Sequence, residues 1–224
     1  MVNTEKWEEL YNTLRAKGVT LVAVSKTKPI ADIKALYEMG QRDFGENYVQ
    51  ELAEKQKELP GDIRWHFIGH LQSNKVKYIA PFIHLVHTVD SFRLLKEINK
   101  HAAKNSRLID VLLQMHIADE ETKFGMDGPE IENLMKEYIV QKAVLKNTRI
   151  CGLMGMATNT DNADVIHREF SALHEMYMHV SSVYFPQDAY FNTCSMGMSS
   201  DYQIAIDAGS TMVRIGGLLF GIRE

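Results

Sequence analysis

A lysine stands just past an apolar run in LVAVSKTKP, residues 21–29. Lys26 shares side-chain parity with Val22 and Val24, so it continues one face of the strand that these residues predict. An amine set against apolar surroundings loses its proton more readily and becomes a nucleophile toward a carbonyl carbon. The ordinary alternative is a strand-end lysine in water. Near the other end, residues 195–221 read SMGMSSDYQIAIDAGSTMVRIGGLLFG. Ser199 precedes the helical pattern of Tyr202, Ile204 and Ala205 and is placed to cap it. A helix N-terminus offers unpaired N–H groups and a positive dipole end, which suit a phosphate. Gly216 and Gly217 let the backbone approach a ligand with no side chain in the way. Arg214 lies in an apolar run, and a buried arginine needs a partner, with Asp201 and Asp207 as the carboxylates at hand. The same segment also reads as a plain capped helix followed by a glycine turn.

Elements that alternate along the whole chain must position these residues. Candidate strands are 20–26, 43–46, 64–69, 85–90, 110–117, 149–157, 189–196 and 212–216. Most lack polar alternation, as expected of parallel strands covered on both faces. Helical patterns separate them: Trp7, Leu10, Tyr11 and Leu14 before the first strand, Ile33, Leu36 and Tyr37 after Pro29, and Leu94, Leu95 and Ile98 after Asp90 or Ser91. A helix capped at Ser73 stops at Pro81. Pro129 opens one with Ile131, Leu134, Met135 and Tyr138, and the longest spans about 162–180. Eight strands each followed by a helix predict one closed (β/α)8 TIM barrel over residues 1–224. An open doubly wound sheet is the competitor, but its Gly-rich first turn is missing. Barrel active sites lie at the C-terminal ends of the strands, with phosphate groups held after strands seven and eight. Lys26 and the 195–221 segment therefore belong on one rim.

Composition excludes several classes. The formal net charge of −4 argues against a dense basic surface for nucleic acid or anionic membrane. No apolar run is long enough to span a bilayer, and MVNTEKWEEL does not read as a signal peptide. Two cysteines, Cys151 and Cys194, cannot build a disulfide framework, and a cytoplasmic location is expected. His66, His70, His84 and His87 lack metal-ligand spacing. GxSxG and Walker A patterns are missing.

A lysine opposite a phosphate grip suits a Schiff base with pyridoxal 5′-phosphate (PLP), which supplies both aldehyde and phosphate and whose ring nitrogen is met by an Asp or an Arg. Lys26, Ser199, Gly216, Gly217 and Arg214 fill those roles. Five segments then carry a family resemblance: AVSKTKP (23–29), FGENYVQE (44–51), WHFIGHLQSNK (65–75), CGLMGMA (151–157) and SMGMSSD with AGSTMVRIGGLLFG (195–221). In order and extent the chain resembles the YggS/PROSC family of pyridoxal phosphate homeostasis proteins, which is similar to the barrel domain of alanine racemase. It departs from the expected pattern at His70.

The resemblance implies that Lys26 holds PLP as a Schiff base and that Lys28 does not. It implies that Asn47 lines the pocket, Ser199 with Gly216 and Gly217 holds the phosphate, and Arg214 faces the pyridine nitrogen. His66 and Met154 are weaker candidates for the pocket wall, and Lys123 resembles a family lysine near the rim. A guanidinium beside the ring nitrogen disfavours its protonation and weakens the ring as an electron sink. The chain ends soon after the last strand, so no second domain carrying a second base is expected. A non-catalytic PLP carrier is thus the first expectation, a small PLP-dependent racemase the second. PLP-dependent apo-enzymes are the partners implied, and a monomer is the simplest state.

Overall fold

The computed structural model describes residues 2–119 and 124–221. Eight short parallel strands close on themselves in sequence order, the last pairing with the first. They are β1 (Thr20–Val24), β2 (Asp43–Glu46), β3 (Arg64–Phe67), β4 (Leu85–Val89), β5 (Ile109–Gln114), β6 (Thr148–Met154), β7 (Thr193–Ser195) and β8 (Met212–Ile215). α1 (Thr4–Ala16) precedes them. The crossovers carry α2 (Ile30–Glu38), α3 (Val49–Glu58), α4 (Val76–Ile79), α5 (Phe92–Lys104), α6 (Gly128–Gln141), α7 (Ala163–Tyr184) and α8 (Tyr202–Asp207), and α9 (Gly217–Phe220) follows β8.

Local chemistry explains the helix starts. Ser91 Oγ accepts from the Leu94 N–H and caps α5. Asp127 caps α6 in a reciprocal box with Glu130, with Pro129 in the first turn. Asn162 caps α7. Ser73 opens a 3-10 turn, Ser73–Lys75, rather than capping a helix, and α4 is a single turn after it.

The apolar residues form two layers. The larger fills the space between strands and helices, with Leu36, Phe44, Leu52, Phe67, Leu95 and Phe170 fully buried. The smaller fills the barrel itself with Val22, Leu85, Leu112, Cys151, Met154 and Met212. Val22 faces inward, which fixes the parity left open by the sequence: Val24 and Lys26 continue the inner face toward the C-terminal mouth. Cys151 and Met154 both reach the interior although they are three apart. The strand register slips between Val111 and Leu112 of β5, and a Cβ at Gly152 would collide with the Thr193 carbonyl.

Several strands are shorter than their apolar runs predict. β1 stops at Val24 and Lys26 lies in the turn beyond it. Strand seven was expected over 189–196, yet only Thr193–Ser195 pair. Phe191 instead stacks on Phe185 and Tyr177 in an aromatic cluster outside the sheet. Ala157 and Met196 are buried under loops of the mouth, so their apolarity reflects cover rather than pairing.

The seam between β7 and β8 has one register pair, Ser195 with Met212. Side-chain hydroxyls reinforce it. Ser210 Oγ reaches the carbonyls of Met196 (2.8 Å) and Met212 (3.0 Å), and Thr211 Oγ1 accepts from the Cys194 N–H at 2.8 Å. No helix among the described residues is long and apolar enough to cross a membrane.

Candidate functional site

A cavity of about 300 Å³ opens at the C-terminal mouth, lined by Lys26, Asn47, Ser199, Arg214, Gly216 and Gly217, with Val24, Ile68, Met156 and Met198 among its apolar walls. Six residues from four separate segments, singled out on residue type and resemblance, therefore converge on one space. The walls come from residues that carry no chemical signal in sequence. Parity alone could have nominated Ile68, two residues beyond His66 on the inner face.

Lys26 sits on a turn that is braced from outside the barrel. Thr27, next to it, has φ +63, a left-handed conformation rarely adopted by β-branched residues. Such strain persists where surroundings over-determine it. Here the Thr27 N–H donates to Glu51 Oε1 at 2.6 Å. Lys55 Nζ donates to the Ser25 carbonyl at 2.8 Å, to Glu46 Oε1 at 2.8 Å and to Glu51 Oε1 at 2.6 Å. Ser25 Oγ also donates to Glu46 Oε1. Glu46 is fully buried, and burial pushes its carboxyl upward against the pull of Lys55. Lys28 faces elsewhere, its Nζ donating to the carbonyl of Phe220 at 2.9 Å.

Beside this turn, beyond the neighbouring β8, Ser199 is not the helix cap expected from sequence. α8 starts at Tyr202 with Asp201 at its N-cap position, and Asp201 Oδ1 accepts from the Met198 N–H. The Met198–Asp201 turn so held presents Ser199 to the Gly216 N–H, which donates to its Oγ at 3.3 Å. Gly217 is the first residue of α9, where a backbone N–H has no intrahelical acceptor. A Cβ on Gly217 would meet nothing closer than Ser199 Oγ at 3.7 Å, so the space above it belongs to the cavity.

Arg214 is 4 % exposed. Its partners are not the carboxylates expected from sequence: one guanidinium N–H donates to Ser195 Oγ at 2.7 Å, another to the Gly155 carbonyl at 3.1 Å. Asp201 acts on it only through space. Burial pushes the guanidinium down to about 10, so it stays cationic at neutral pH. Asn47 Oδ1 is buried at the cavity without a hydrogen-bond partner among the described residues. The site thus offers an amine, a cation, an unsatisfied amide oxygen and a hydroxyl-and-backbone cradle.

The two weaker wall candidates lie elsewhere. His66 points into the barrel below the cavity, its Nε2 3.0 Å from Asp43 and its Nδ1 2.9 Å from His87. Met154 belongs to the inner apolar layer, and Met156 lines the cavity instead. His70 stacks on Phe124 at the rim, at 4.3 Å between ring centroids. Lys123 lies outside the described residues. Among the described residues no group of three or more His, Cys, Asp or Glu is arranged to hold a metal ion.

Comparison with known proteins shows the family and the fold. Residues 3–224 match the family described as alanine racemase, N-terminal domain. A pyridoxal phosphate homeostasis protein of Pasteurella multocida is 39 % identical over 212 residues, covering 92 % of this chain and 88 % of that one. PipY of Synechococcus elongatus, solved with PLP bound, is 34 % identical with a TM-score of 0.82, covering 95 % of this chain and 99 % of PipY. An alanine racemase of Streptomyces coelicolor superposes with a TM-score of 0.75 at 18 % identity, over 98 % of this chain and 58 % of the racemase, a likeness of fold alone.

Proposed function

The chain belongs to the alanine racemase N-terminal domain family and, within it, to the pyridoxal phosphate homeostasis proteins, and from that membership we propose that it binds PLP through a Schiff base on Lys26 and serves as a non-catalytic carrier. The observation that carries the reading is the convergence of Lys26, Asn47, Ser199, Arg214, Gly216 and Gly217 on one cavity. The residues fit the group: the unpartnered Asn47 Oδ1 lacks a donor, and the Gly217 cradle leaves room a side chain would fill. PLP supplies a reactive aldehyde and, on amine substrates, an electron sink.

Each residue then has a task. Lys26 provides the amine, held at the mouth by the braced turn. Ser199 with the Gly216–Gly217 backbone would hold the phosphate, and Asn47 would line the pocket. Arg214 would face the ring nitrogen of bound PLP, and its cation would disfavour protonation there and so restrain carbanion chemistry. Among the described cavity-lining residues, Lys26 and Arg214 alone are ionisable, so none of the others offers a second acid–base group. That supports carrier over racemase. The family resemblance, not a residue of this site, supports extending the proposal to delivery of PLP to apo-enzymes in the cytoplasm. It is tested by whether loaded protein activates an apo-enzyme faster than the same amount of free PLP.

The deciding experiment is a visible spectrum of the purified chain with added PLP, followed by borohydride reduction and peptide mapping. A yellow adduct trapped on Lys26, with no interconversion of alanine enantiomers, is expected. An adduct on another lysine, or none, overturns the assignment, and turnover of alanine overturns the carrier role.

A further inference from the structure

Behind Arg214 the barrel interior is polar where its neighbours are apolar. Ser195 Oγ, the acceptor of the Arg214 N–H, lies 3.2 Å from His87 Nδ1. His87 Nε2 lies 2.9 Å from His66 Nδ1, and His66 Nε2 lies 3.0 Å from Asp43 Oδ1. His87 and Ser195 are fully buried, and His66 is 1 % exposed. Asp43 and His66 line a second cavity at the opposite, N-terminal mouth, also of about 300 Å³. The contacts therefore cross the barrel from one mouth to the other.

Their donors and acceptors can be assigned in one direction. Ser195 accepts from Arg214, so its hydroxyl hydrogen can go to His87 Nδ1. His87 then carries its proton on Nε2 and donates to His66 Nδ1. His66 carries its proton on Nε2 and donates to Asp43. Every atom in the chain is satisfied with both rings neutral, a cation heads it and a carboxylate ends it. Neutrality suits His87, which full burial and the nearby Arg214 cation push well below the ordinary histidine range. Arg64 grips the same Asp43 with two N–H groups. The alternative requires a charged His66 and makes Ser195 accept from both sides, leaving its own hydrogen without His87 as acceptor.

We propose that Ser195 and His87 are positioning residues for Arg214, held in turn by His66 and Asp43, so that a one-directional hydrogen-bond chain through the barrel fixes the guanidinium at the cofactor ring. The proposal rests on the cofactor reading above. It assigns a role to buried polar groups that the cavity itself does not use. A half-satisfied chain would be costly in a low-dielectric interior, whereas a fully satisfied one is rigid.

Two measurements test it. In the parent chain, nitrogen-15 NMR of the histidine side chains is expected to show His87 and His66 neutral with the proton on Nε2. A proton on Nδ1 of His87, or a doubly protonated His66, overturns the direction of the chain. Separately, Ser195→Ala and the distant Asp43→Asn are titrated with PLP. Both are expected to shift the visible band of the bound cofactor and to weaken binding by about tenfold, a typical loss when an orienting partner is removed. The adduct stays on Lys26. Folded variants with the parent's band and affinity overturn the proposal alone. Absence of a Lys26 adduct in the parent removes the cofactor reading and this proposal with it. If Ser195→Ala does not fold, the parent's tautomers and Asp43→Asn still decide.

Discussion

Lys55 Nζ lies 2.8 Å from the carbonyl oxygen of Ser25, so a lysine on the outer helix layer grips the peptide that leads into Lys26. The same ammonium neutralises Glu46, whose second oxygen has no hydrogen-bond partner among the described residues. Removing one member of a buried ion pair leaves the other uncompensated. Lys55→Met is expected to destabilise the protein by about 3 kcal/mol or more, and Lys55→Met with Glu46→Gln by less. Denaturant melts check this. A loss for the double variant equal to that for the single one would show that the uncompensated carboxylate is not the cause.

Gly217 separates binding from folding. A methyl group there would meet only Ser199, at ordinary contact distance, and the start of a helix favours alanine over glycine. Gly217→Ala is expected to keep or slightly raise the melting temperature. The same methyl enters the cavity, so PLP affinity should fall at least about tenfold, or 1.4 kcal/mol. Thermal melts and a PLP titration together decide the matter. An unaltered affinity would take Gly217 out of the cradle.

Lys28 and Lys26 are two residues apart and face different tasks. Lys28 satisfies the carbonyl of Phe220 at the end of α9. Lys28→Ala should cost about 1 kcal/mol of stability and leave borohydride trapping on Lys26 intact. Lys26→Ala should do the reverse, losing the adduct and keeping the melting point. Peptide maps of the reduced proteins distinguish them.

Asp43 predicts a pH dependence. Burial works against its charged form, but hydrogen bonds from His66 and Arg64 outweigh that and hold the carboxyl well below the usual range. An unfolded aspartate titrates near 3.9. The native state therefore gains stability from this group above that pH and loses it as pH falls toward the folded value. The stability gap between the parent and Asp43→Asn is expected to be full at pH 7 and smaller at pH 3. Urea melts at the two values measure it, and a gap that widens in acid would reverse the sign argued here.

Both thiols are buried, and burial pushes Cys151 and Cys194 up to about 12. Cys194, fully buried, should not react with a thiol reagent at pH 8 until the chain unfolds, and Cys151, which lines the cavity at the N-terminal mouth, should react only slowly, since the thiolate is the reactive form. Labelling of Cys194 in the native protein within minutes would show that the barrel opens on that timescale.

How much of this was legible in the sequence depended on what each residue does. Lys26, Ser199, Arg214 and the glycine pair stood out because polar or conformationally special residues interrupt apolar runs at strand ends. The closed barrel was legible from the alternation of runs and helices. The protein partners of Arg214 were not legible, because a carboxylate is the ordinary alternative for a buried arginine and nothing in the sequence places Ser195 and Gly155 beside it. Ser195 faces Arg214 across the β7–β8 seam, and a hydroxyl with a main-chain carbonyl satisfies it. Lys55 was invisible, since a lysine among Glu51, Glu54 and Glu58 reads as part of a solvated helix face. Only the tertiary approach of α3 to the Lys26 turn shows otherwise. Asp43, His66 and His87 carried a signal that went unused: all three occupy inward positions of their strands.

The stitched seam between β7 and β8 has a consequence for how such a barrel can diverge. Where β5 and β6 are joined by a long main-chain ladder, side chains can change while the joint keeps its strength, because every residue type carries the same backbone. Where the hydroxyls of Ser210 and Thr211 supplement one register pair and the main-chain bonds from Met196, Thr211 and Arg214, part of the strength of the joint is itself heritable sequence. That joint lies directly beneath the cavity. Drift at Ser210 and Thr211 can therefore tune how tightly the barrel closes under its ligand without altering any residue that touches it.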